Sequence, residues 1–195
     1  MRPMKTLTIS IPLSLAAVAL AVNANAQDSN TDNHTITISV PEVAIVDIEP
    51  AAAKNITMGF TAPTEAGLPL LGPADNSTLW LNYSSIRSTA DDSRTVSVRL
   101  DAEIPGIDIN VTAAAAAGAG DGTLGTPAAQ LTLTAADQVI ISGIGSAYTG
   151  DGVSNGHNLT YALAFGGSTG GTSNYEDLVA AATVEATVTY TISDN

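Results

Sequence analysis

The side chains that could do chemistry in this chain are scattered. Two histidines, His34 and His157, share no HxH or HExxH spacing, and there is no cysteine to join them. A zinc centre would need two further ligands from a dispersed acidic pool, so both histidines read as solvent-exposed. The missing cysteine also removes thiol catalysis and a lipid anchor on cysteine. Ser142 and Ser146 flank Gly143-Ile144-Gly145. That segment is not the G-x-S-x-G elbow, and no helix pattern follows it, so both serines read as turn residues. The 19 acids can be paired for glycoside cleavage in many ways, and no spacing selects one pair. The residues therefore define no catalytic site, no cofactor site and no enzyme.

Calcium has the only case among metals. Gly120-Asp121-Gly122 and Gly150-Asp151-Gly152 are similar loops, and Asp91-Asp92 is an acidic pair. Calcium wants six to eight oxygens. Neither loop carries the D-x-D-x-D-G pattern, and each reads as a tight turn, so no metal site is assigned. Six N-x-S/T sequons begin at Asn33, Asn55, Asn76, Asn82, Asn110 and Asn158. The abundance of Asn and Thr accounts for them. Trp80 is the one candidate ligand contact: it is out of phase with Leu79 and Leu81, so it can offer an aromatic face outside the core.

The elements that must carry these residues are strands. Thr35 to Val40 alternates, with Ile36, Ile38 and Val40 on one face. Pro41 interrupts, and Val43 to Ile48 resumes; a proline there points to an edge or a bulge. Ile56, Met58 and Phe60 suggest a short strand, and residues 61–78 a long Pro/Gly loop. Leu79 to Tyr83 alternates again. Val96 to Leu100 and Ile107 to Val111 flank Pro105-Gly106, so residues 94–112 read as a hairpin. The alanine run 113–117 reads as a strand end entering a loop. Leu131 with Leu133, Val139 to Ile141 and Leu159 to Phe165 are further strands. A Gly/Ser/Thr loop spans 166–173, and Asn174 can cap a single helical turn. Val184 to Ile192 closes the chain on the longest alternation, which suggests a strand central to the core. About nine strands without a long amphipathic helix give an all-β fold, an antiparallel β-sandwich of immunoglobulin-like or jelly-roll-like kind, with a β-barrel as the alternative.

The first 26 residues set the address. Arg2 and Lys5 precede an apolar run from Leu7 to Val22, and Ala24-Asn25-Ala26 forms an A-x-A site before Gln27. This is the pattern of a secretory signal peptide, and its apolar run is shorter than the roughly 20 residues of a membrane span. The expected organisation is a signal at 1–26, a flexible lead-in at 27–33 and a single sandwich domain at 34–195, with no membrane span after cleavage. Beyond residue 26 the basic residues are Lys54, Arg87, Arg94 and Arg99. All 19 acids remain, giving 4 − 19 = −15. Such a charge disfavours nucleic acid and anionic membranes as partners.

Three features together resemble the cysteine-free, exported β-sandwich subunits of bacterial fimbriae. The alternating segment Thr35 to Ile48 follows directly on an exported N-terminus. A Gly-rich loop leads into Asn158-Leu159-Thr160-Tyr161-Ala162-Leu163. The chain closes on Val184-Glu185-Ala186-Thr187-Val188-Thr189-Tyr190-Thr191-Ile192, a strand of the V-x-V-T-Y kind. The resemblance implies a secreted or cell-surface structural and adhesive protein. It also implies self-association, or association with other surface subunits, by strand addition through Ile36, Ile38 and Val40. The alternative is a free secreted or periplasmic module that binds a glycan or small ligand.

Overall fold

The computed structural model describes residues 30–166, 174–181 and 184–195. The expected signal at 1–26, the start of the expected lead-in and most of the Gly/Ser/Thr loop lie outside the described residues. Residues 40–195 form one compact unit. Among the described residues it holds nine strands: β1 Val43–Glu49, β2 Asn76–Ile86, β3 Arg94–Leu100, β4 Ile107–Ala113, β5 Asp121–Pro127, β6 Leu131–Thr132, β7 Gln138–Tyr148, β8 His157–Phe165 and β9 Val188–Asp194. Two short 3-10 turns, Ala51–Ala53 and Tyr175–Asp177, are the helical pieces among the described residues.

The strands join antiparallel in one open sheet of order β6-β4-β8-β2-β7-β3-β9, with β1 on β2 and β5 on β7. Strand β2 holds the two halves together. Its first half pairs with β8, up to Leu81↔His157, and its last residues pair with β7 at Ser84↔Tyr148 and Ser85↔Ala147. Strand β1 covers the opposite edge of β2, from Val43↔Ile86 to Glu49↔Trp80. The sheet folds over itself: the Tyr161 hydroxyl of β8 lies 2.7 Å from the Tyr190 hydroxyl of β9, although β2, β7 and β3 separate those strands in sheet order. Two layers thus face one core, a β-sandwich and not a closed barrel.

The core follows from the alternation. Leu79, Leu81 and Tyr83 of β2, Val96, Val98 and Leu100 of β3, and Leu159 and Tyr161 of β8 are all buried, together with Val111, Ile140, Ile141 and Ile144. Each buried aliphatic stabilises by about 1.5–3 kcal/mol, which supports a fold with no disulfide. Phe165, at the end of β8, stacks on Phe60 at 5.1 Å and meets Tyr175 edge-on at 4.9 Å, so the long loop and the second 3-10 turn are anchored to one end of the sandwich. The Asp177 carboxylate accepts from the Asn174 N–H at 2.7 Å, which fixes the start of that turn.

Five expectations about the elements change. Residues 35–40 alternate but form no strand, because no neighbouring strand supplies their ladder. Residues 56–60 are irregular, though Ile56 and Met58 still pack on the core. The 94–112 hairpin does not form: β3 pairs with β7 and β9, whereas β4 pairs with β6 and β8. The Pro105-Gly106 turn therefore passes the chain between layers. Ser142 and Ser146 lie inside β7 rather than in turns. The C-terminal strand begins at Val188 and is an outer strand, not a central one. Alternation reports one buried face; it does not report how many neighbours a strand has.

Candidate functional site

Residues 31–42 carry no secondary structure, and every residue of 30–42 is exposed. Within this segment Ile36, Ile38 and Val40 are 72%, 79% and 70% exposed. Single exposed aliphatics are ordinary. Three at period two, alternating with Thr35, Thr37 and Ser39, make an amphipathic segment with neither ladder nor core. Pro41 ends it, because proline has no N–H to extend a ladder.

Among the described residues, strand β9 forms a ladder with β3 alone, and β1 lies close beside it. The Thr187 carbonyl accepts from Asp101 N–H at 2.9 Å, and the Asn195 N–H donates to the Ser93 carbonyl at 3.1 Å. Odd-numbered residues therefore turn their backbone groups to β3, and Val188, Tyr190 and Ile192 turn theirs to the open edge. The side chains of those three pack against the core yet stay half-buried, whereas their cross-strand partners Leu100, Val98 and Val96 are buried. Burial raises the Tyr161 hydroxyl to about 12 and the Tyr190 hydroxyl well above the ordinary tyrosine value, so both stay neutral in the hydrogen bond that closes this side of the core.

The other edges are protected. Strand β6 has two residues. Strand β5 shifts register between Gly122 and Leu124, has Gly122 and Gly125 at positive φ, and ends in Pro127. A Cβ on Gly122 would lie 2.3 Å from the Ser146 carbonyl, so that kink requires glycine. Strand β1 sits between Pro41 and Pro50, and the Asp47 carboxylate accepts its Ile48 N–H at 2.7 Å. Short length, proline, kinks and a charge on the edge are devices that blunt sheet edges. Residues 188–193 of β9 contain none of them.

Arg94 joins both regions. It is fully buried at the start of β3. Its Nε donates to Asp194 of β9 at 2.6 Å, and its Nη1 donates to the carbonyls of Val43 and of Ile86, the latter at 3.2 Å. Nη2 donates to Glu42, directly after the exposed segment. The start of β1, the end of β2 and the end of β9 thus meet on one guanidinium. Glu42, Asp91 and Asp194 bring carboxylate oxygens within 4.8 Å of one another, and Arg94 supplies positive charge among them.

The remaining sequence candidates separate. Trp80 is half-buried on the outer side of β2, in a row with Glu49 and Asn158. Those neighbours are engaged: Glu49 accepts from Ala51 N–H at 2.8 Å, and Asn158 donates to the carbonyls of Ser77 and Leu79 at 2.9 and 3.1 Å. His34 is exposed. His157 is fully buried, contrary to the sequence reading, because its loop position Gly156-His157-Asn158 opens β8 under the sandwich. Its Nε2 lies 2.9 Å from the Tyr83 hydroxyl and its Nδ1 2.8 Å from the Ala114 carbonyl. The two Gly-Asp-Gly loops meet at Asn155, whose side chain accepts from Ala119 N–H and donates to the Asp151 carbonyl. Asn82 and Asn110 are buried, so two sequons are closed to modification. An open pocket of about 410 Å³ beside Ser84, Asp121 and Tyr148 brings no acid–base pair together. No helix among the described residues is long and apolar enough to cross a membrane. Comparison of the chain with protein-family models, with curated proteins and with solved structures finds no match.

Proposed function

We propose that this chain is an exported bacterial surface protein, a structural or adhesive subunit of fimbrial type that assembles by strand addition. The observation that carries this reading is the exposed row Ile36, Ile38 and Val40 on a segment without a sheet partner. Exposed period-two aliphatics gain their burial and their backbone hydrogen bonds only by joining another sheet. The cysteine-free core and strongly acidic surface suit a protein working outside the cell, held by packing alone.

Deleting residues 27–40 tests it. The truncated protein is expected to melt within a few degrees of the full-length chain and to stay monomeric in sedimentation. The chain from Gln27 onward is expected to form larger species with rising concentration. A truncated protein that unfolds, beside a full-length chain that stays monomeric at every concentration, would place residues 34–40 in their own domain and remove the basis of the proposal.

A further inference from the structure

We infer that the outer face of β1, β2, β7 and β5 binds one pyranose ring of a neutral glycan, stacked on Tyr148 and hydrogen-bonded by Asp121 and Ser84. The inference goes beyond the assembly reading and does not rest on it, since no residue of 34–40 or of β9 takes part.

The register builds the site. Tyr148 of β7 pairs with Ser84 of β2 and with Asp121 of β5, and Ser84 pairs in turn with Ile45 of β1. Residues directly opposite in an antiparallel ladder share one face, so these four form a row across four strands. All four are exposed. A second row on the same face holds Val43 and Ile86, with Ser146 beside them. Residues of both rows line an open pocket of about 410 Å³. Small-molecule sites fall in the range of about 300–1,000 Å³.

The lining suits a sugar. A pyranose has an apolar face of C–H bonds and a rim of hydroxyls. Tyr148 is 51% exposed, so its ring offers that face a platform. Val43 and Ile86 add apolar surface. Neighbouring strands lie about 4.7–4.9 Å apart, which puts Ser84 and Asp121 about 10 Å from each other with Tyr148 between them. A ring stacked on Tyr148 can reach one with a hydroxyl at each end, whereas an ammonium group is too compact to touch both. These polar groups are free to act. Asp121 Oδ1 accepts from the Gly122 N–H at 2.7 Å, which leaves Oδ2 for a ligand hydroxyl in a charge-assisted bond. The Ser84 and Tyr148 hydroxyls have no partner among the described residues.

Charge selects a neutral ligand. No basic side chain lines the pocket, and Arg87, next to Ile86, donates to the Asp91 carbonyl at 2.8 Å. Asp121 and the acidic chain as a whole repel sialic, uronic, sulfated and phosphorylated groups. The site is also built before any ligand arrives. The bend at Gly122 needs glycine, and it sets Asp121 beside Tyr148. The Thr149 hydroxyl accepts from the Tyr83 N–H at 3.0 Å and fixes the end of β7. A ligand therefore has little backbone to order.

The protein, purified as exported, is tested on an immobilised panel of oligosaccharides of glucose, galactose, mannose and N-acetylglucosamine, with their sialylated and sulfated counterparts. The expected result is binding to at least one neutral member and weaker binding to its charged counterpart. Calorimetric titration with that neutral oligosaccharide then compares variants. Tyr148→Ala and Asp121→Asn should each weaken binding at least about tenfold, and Ser84→Trp should abolish it by filling the pocket. Tyr148→Phe keeps the ring and should keep binding. Trp80→Ala, on another part of β2, should leave it within about twofold. The substituted pocket positions are exposed, so these variants should melt within a few degrees of the parent. In the parent itself, amide shifts on titration, followed by nuclear magnetic resonance, should centre on residues 84, 121 and 146–148. Binding to no neutral member, preference for the charged members, full binding by folded Tyr148→Ala, or shifts centred on Trp80 would each overturn the inference.

Discussion

His157 and Tyr83 make three contacts with two hydrogens when the imidazole is neutral. The Tyr83 hydroxyl donates to the Leu124 carbonyl, His157 Nδ1 faces the Ala114 carbonyl, and Nε2 faces the Tyr83 oxygen. An imidazolium would satisfy all three, but burial opposes the charge and holds the His157 pKa below its ordinary value. Below pH 6.5 the unfolded chain therefore binds a proton that the native state resists. Stability is expected to be level above pH 7 and to fall as pH drops through 6.5 toward the native value, by at most about 1.4 kcal/mol per pH unit. Urea midpoints between pH 7.5 and 5.5 check this, and His157→Gln should flatten the slope from a lower starting stability. Arg94 is the other residue on which much depends. Arg94→Met would leave the Val43 and Ile86 carbonyls and two carboxylates without their donor. Glu42 and Asp194 are about half exposed and can recover water, so the loss should be about 2–4 kcal/mol, below the full cost of a wholly buried broken pair. Urea unfolding measures it.

At the scale of elements, β3 and β9 share one register but not one environment. Val98 is wholly buried between β7 and β9, while Val188 is half-buried on the outermost strand. Val98→Asp is expected to abolish folding, since it would place a carboxylate in the apolar core. Val188→Asp should cost only about 1–3 kcal/mol, lowering the melting temperature by roughly 2–12 °C in a domain of this size. Circular dichroism melts of the two variants give the contrast. If they fail alike, β9 is as enclosed as β3. Alternation made β2, β3, β4, β8 and β9 legible. It could not reveal β5, whose Asp121–Pro127 sequence bends at two glycines and lacks any period.

The whole molecule is strongly acidic, with a formal charge of −13 over 195 residues and −15 beyond residue 26. Copies that assemble through an apolar row must first overcome mutual repulsion. Association should therefore strengthen with salt, the opposite of an assembly held by ion pairs. Light scattering at about 20 mM and 300 mM sodium chloride decides, since screening lengths at these strengths differ several-fold. Assembly that dissolves as salt rises would mean that charge pairs, not the Ile36-Ile38-Val40 row, join the copies.

By itself the sequence determined the all-β class, most strand positions and the period-two row at residues 36–40. These depend on which side chains tolerate water, and alternation records that directly. The tertiary structure decided three further things. It left residues 35–40 without a ladder, because pairing is a property of neighbours and not of a segment. It placed β9 at an edge although its pattern is the longest, because one buried face looks the same beside one strand or between two. It also buried His157 and Arg94, which the sequence shows only as a loop histidine and a strand arginine. Their partners, Tyr83, Ala114, Glu42 and Asp194, lie 43 to 100 residues away or across the fold from them, and only chain closure brings such groups together.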